Sequence, residues 1–72
     1  MKSDEDVSNE TKLTILQQER QMWLNTRELM TIRYRVNKRV DDKKAMEDIT
    51  KELTKIETAL DELDKMFTEL QK

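Results

Sequence analysis

Residues 46–70 read MEDITKELTKIETALDELDKMFTEL, and the apolar positions Met46, Ile49, Leu53, Ile56, Leu60, Leu63, Phe67 and Leu70 are spaced 3, 4, 3, 4, 3, 4 and 3 residues apart. Steps that alternate between three and four average about 3.5 residues, so on an α-helix all eight side chains share one edge. Such an edge leaves water only under another helix. The chain is built to pack helix on helix, and the remaining sequence has to supply the cover.

Composition points the same way. Glycine and proline are both absent from the 72 residues. Tight turns and strand edges therefore lose their usual residues, while Lys, Glu, Leu, Gln, Arg and Met, all good helix formers, dominate. The reading is all-α. Histidine and cysteine are absent too, which removes disulfides, the common zinc ligands and imidazole acid–base chemistry. No glycine-rich loop is present to cradle a phosphate, and a chain this short has little room for a pocket. We expect no enzyme and no cofactor. Charged residues make up 42% of the chain and hydrophobic ones 35%, with a net charge of −2, as suits helices with a solvated face of mixed sign. No run approaches the roughly 18 apolar residues of a membrane span, and no charged-then-apolar leader opens the chain, so the expected location is the cytoplasm. A domain of this size buries a modest core, which favours association with a second copy or a larger protein.

Going backwards from residue 46, the seam meets Asp42, Arg39, Arg35, Ile32, Glu28 and Asn25, nearly all polar. It breaks near residue 40. Upstream, one apolar row is formed by Ile15, Met22, Leu29 and Val36, with Ile32 and Val40 alongside. A second row, about 100° further round the helix, holds Leu16, Trp23, Met30 and Tyr34. Between the rows lie Glu19, Thr26, Arg33 and Asn37, polar groups in the middle of an apolar arc. Two rows suggest two neighbours. The apolar arcs of the two halves point about 150° apart, so one continuous rod would be apolar on opposite sides of its two ends. A hairpin resolves that conflict.

We therefore expect a disordered acidic tail at 1–9 and a single domain at 10–72. Its first helix spans about 11–39, the turn about 39–42 and the second helix about 42–71. Ser8, Asn9 or Thr11 can cap the first helix, and Asp41 or Asp42 the second. Residues 12–40 hold Lys12, Arg20, Arg27, Arg33, Arg35, Lys38 and Arg39 against Glu19 and Glu28, a net charge of +5, whereas residues 41–72 carry a net charge of −4. The two halves attract, which favours an antiparallel hairpin over pairing between two copies of the second helix. With Met46 at heptad position a, Leu occupies later a positions and Ile the early d positions. That choice favours four helices over two, so we expect two hairpins to dimerise into a four-helix bundle.

Candidate functional residues fall into three groups. Leu16, Glu19, Trp23, Thr26, Met30, Arg33 and Tyr34 form a candidate interface with a second chain or a larger protein, because Trp and Tyr favour places where chains meet. Glu19 and Arg33 are symmetric about Thr26, so two antiparallel first helices crossing at Thr26 set Glu19 opposite Arg33 twice. Arg20, Arg27, Arg35, Lys38, Arg39, Lys43 and Lys44 form a candidate basic patch, and a nucleic-acid accessory role is the alternative to the protein-interaction module we expect. Against that alternative, the sequence pI is near 5.2 and no helix-turn-helix signature is present. The acids Asp41, Asp42, Glu47, Asp48, Glu57, Asp61 and Asp64 read as solvated helix surface and capping charge.

Overall fold

The structure, a computed structural model, describes residues 8–71, so residues 1–7 of the expected tail lie outside the described residues. Two helices make up the fold: α1, Asn9–Arg39, and α2, Lys43–Leu70. They fold back as an antiparallel hairpin of 56 × 21 × 15 Å. That is two helices wide and one helix thick, given a helix diameter of about 10–12 Å.

Each boundary has a local cause. α1 starts at Asn9, two residues before the expected start at 11, because Ser8 caps it: the Ser8 Oγ accepts the Thr11 N–H at 3.1 Å. Glu10 in the first turn and Lys38 and Arg39 in the last complement the helix dipole. At the far end the Asp41 N–H donates to the Lys38 carbonyl at 3.2 Å and the Asp42 N–H to the Asn37 carbonyl at 2.9 Å. This is a Schellman closure, and it requires a left-handed residue after the cap. Asp41 fills that place at φ 60°. A chain without glycine uses here a side chain that tolerates the left-handed region comparatively well. Asp42 then starts α2, its Oδ1 accepting the Ala45 N–H at 3.1 Å. The whole reversal takes Val40, Asp41 and Asp42.

The core is one-sided. Ile49, Ile56, Leu60 and Leu63 are buried, with Ile56 only 1% exposed, and all four belong to α2. Met46, Leu53, Phe67 and Leu70 complete the seam as half-buried residues. Among the described residues α1 has none that is buried. On one edge of the hairpin Arg20 Nε meets Asp64 Oδ1 at 3.3 Å, and Arg27 Nη1 meets Glu57 Oε2 at 3.1 Å. Seven residues up α1 correspond to seven down α2, which is the antiparallel register. The charge asymmetry of the sequence thus appears as two discrete ion pairs. Both are solvent-exposed, so each is worth about 0.2–1 kcal/mol.

Candidate interaction surface

α1 has two apolar rows and α2 covers one of them. Leu16, Trp23, Met30 and Tyr34 are half-buried, as are Leu13 and Leu24 close by. The other row is open: Ile15 is 53% exposed, Met22 51%, Leu29 44%, Ile32 52%, Val36 57% and Val40 66%. Ile15, Met22, Leu29 and Val36 recur every seven residues, so the open row runs nearly straight along the helix. At the end of the hairpin away from the turn it continues onto α2 through Met66, 39% exposed. There Lys12, Ile15, Leu16, Met66, Glu69 and Leu70 line an open notch of about 340 Å³.

The row has energetic weight. Full burial of a Val, Leu, Ile or Met side chain is worth roughly 1.5–3 kcal/mol, so the exposed half of six of them leaves on the order of 5–9 kcal/mol per chain ungained. Single exposed hydrophobics are ordinary on protein surfaces. Here five on α1, with Val40 at its C-cap, adjoin one another in a single strip.

The polar residues between the rows have distinct surroundings. Thr26 is half-buried and its Oγ1–H donates to the Met22 carbonyl at 3.0 Å, so its hydroxyl is already satisfied and its methyl is left for packing. Asn37 is half-buried and donates from Nδ2 to the Arg33 carbonyl at 2.8 Å. Glu19 and Arg33 are exposed, and among the described residues neither takes part in an ion pair. The structure therefore brings Leu16, Trp23, Met30 and Tyr34 together against α2, and it places Glu19, Thr26 and Arg33 along the margin of the open row.

The basic residues separate into two sets. Arg20 and Arg27 are engaged by Asp64 and Glu57 of α2. Arg35, Lys38, Arg39, Lys43 and Lys44 are exposed around the turn, without an ion pair among the described residues. Asp41, Asp42, Glu47 and Asp48 are interleaved with them, so residues 35–48 carry a net charge of only +1. Among the described residues no group of three or more carboxylates is placed to hold a metal ion. No helix among them is long and apolar enough to cross a membrane.

Ile15, Met22, Leu29, Ile32, Val36, Val40 and Met66 emerge from the structure as surface residues outside the interface set expected from sequence. The signal that distinguishes the rows is on their flanks. Arg20 and Arg27 follow Leu16 and Trp23 by four residues and reach the acids of α2, whereas Glu19, Thr26 and Arg33 follow Ile15, Met22 and Leu29 at the same distance and find no such partner.

Compared with family models, with curated proteins and with solved structures, the chain has no match.

Proposed function

We propose that this chain is a non-enzymatic interaction module whose working surface is the open row of α1, docked helix against helix on another protein surface. One observation carries the reading: five apolar side chains of α1, and Val40 at its C-cap, stand 44–66% exposed along one side of a layer one helix thick. The spacing of the row supports it, since a strict seven-residue repeat presents a continuous seam to a partner helix. The basic patch offers less to the nucleic-acid alternative. Two of its seven cations are engaged within the hairpin, and the other five share the turn with four acids. Under that alternative a mobility shift with duplex or single-stranded DNA would weaken steeply between low and high salt; under the reading proposed here no shift is expected.

The test is positional. A photoreactive benzophenone side chain at Leu29 of the full chain is expected to give covalent protein adducts in cells, and the same group at Thr54, on the outer side of α2, is not. Changing both Met22 and Val36 to Glu should abolish the Leu29 adducts. Equal labelling from the two positions, or none from Leu29, overturns the reading.

A further inference from the structure

We infer that the occupant of the open α1 face is a second copy of the same chain, packed antiparallel about a two-fold axis that passes beside Thr26. The inference deepens the interaction-module reading and rests on it. Its first support is the charge pattern of the face. Glu19 and Arg33 lie seven residues to either side of Thr26. Both are exposed, and neither finds an ion-pair partner within the chain among the described residues. In an antiparallel pair centred on Thr26, residue 19 of one copy faces residue 33 of the other, and the reciprocal contact recurs across the axis. A two-fold interface requires this self-complementarity. At about 1.5 Å per residue, each ion pair then sits about 10 Å from the axis.

The second support is that competing arrangements lose the pairing. A parallel in-register pair sets Glu19 against Glu19 and Arg33 against Arg33. An antiparallel pair shifted by one heptad in one direction places Glu19 opposite Thr26 and Lys12 opposite Arg33. Shifted the other way, it leaves Glu19 opposite Val40. Like charges directly opposed are costly, and so is a charge covered by apolar surface with no partner.

Packing agrees with charge in the same register. Met22 faces Met30, Leu29 faces Trp23 and Val36 faces Leu16. Three residues of the open row on one copy thus meet the part of the covered row that α2 leaves accessible on the other, while Ile15 faces Asn37, and Ile32 and Val40 face Arg20 and Lys12, whose long side chains reach solvent at the rim. Thr26, at the axis, brings a methyl group and a hydroxyl already bonded to the Met22 carbonyl. No unsatisfied polar atom is trapped there. The product is a four-helix bundle in which the two α1 helices form the central pair and each α2 covers its own.

The experiment is sedimentation of the full chain, with circular dichroism to confirm that each variant remains helical. Wild type is expected at twice the 8.7 kDa chain mass. Arg33→Glu opposes two glutamates at each end of the interface and should weaken the dimer by at least about tenfold, as should Glu19→Arg. The double variant Glu19→Arg/Arg33→Glu re-forms both pairs and should restore the dimer. A mixture of Met22→Cys and Met30→Cys chains should cross-link on oxidation, with neither variant doing so alone. A wild-type monomer, a dimer indifferent to Arg33→Glu, or a double variant no better than the singles overturns the second copy as occupant. If wild type is monomeric while Leu29 adducts with another protein persist, only this inference fails; if the adducts are missing as well, the interaction-module reading fails with it.

Discussion

α1 and α2 each contain eleven apolar residues, yet α2 provides four buried side chains and α1 none. The difference is one of phase. α2 concentrates eight of its apolar residues on one edge, so a single neighbouring helix can cover them. α1 divides its residues between two rows about 100° apart, and one neighbour covers only one row. Apolar content alone does not determine what a helix buries. How that content is distributed around the axis also decides how many partners the helix can take.

The most direct way to break the comparison is to truncate one side chain in each helix. Ile56→Ala removes the most buried side chain and should cost about 2–5 kcal/mol, seen as a lowered denaturation midpoint with an unchanged slope. Leu29→Ala in dilute solution should lie within about 0.5 kcal/mol of wild type. Equal losses at the two sites, at a concentration where the chain sediments as a monomer, would mean that the open row is covered within the hairpin. A second variant tests whether α2 depends on its own start: Asp42→Ala removes the carboxylate that receives the Ala45 N–H and should cost about 1 kcal/mol in urea denaturation. The smallest effect belongs to the charged edge. A double-mutant cycle on Arg27 and Glu57 should return a coupling of about 0.2–1 kcal/mol that fades at 1 M salt, because the pair is solvent-exposed. A larger, salt-insensitive coupling would make that edge a principal determinant of the register.

Much of this architecture could be read in the sequence, and the reasons are specific. The alternating steps from Met46 to Leu70 define α2, Ser8 and Asp42 are cap residues by chemistry, and both helices end within two residues of the expected bounds. The break in the seam near residue 40 implied the hairpin, and the hairpin is present. The orientation of α1 was not legible, because its two rows are almost equally apolar and periodicity cannot rank them. Ranking them needs Arg20 placed against Asp64 and Arg27 against Glu57, and those are relations between residues 44 and 30 positions apart in the chain. The left-handed Asp41 was equally hidden. With no glycine to mark the position, any residue of the 37–42 stretch could have taken it.

Asp42 serves both helices, its N–H closing α1 on the Asn37 carbonyl while its carboxylate opens α2 at Ala45. The three-residue joint therefore fixes the rotation of α2 about its own axis as well as the direction of the chain. One residue inserted into the first turn of α2 would turn everything after it by about 100°, carrying Ile56 and Leu60 out toward solvent. Under selection, such a molecule should accept many substitutions over its charged surface and almost no change of length between Asn37 and Ala45. Insertions and deletions there should be purged even where point changes are neutral.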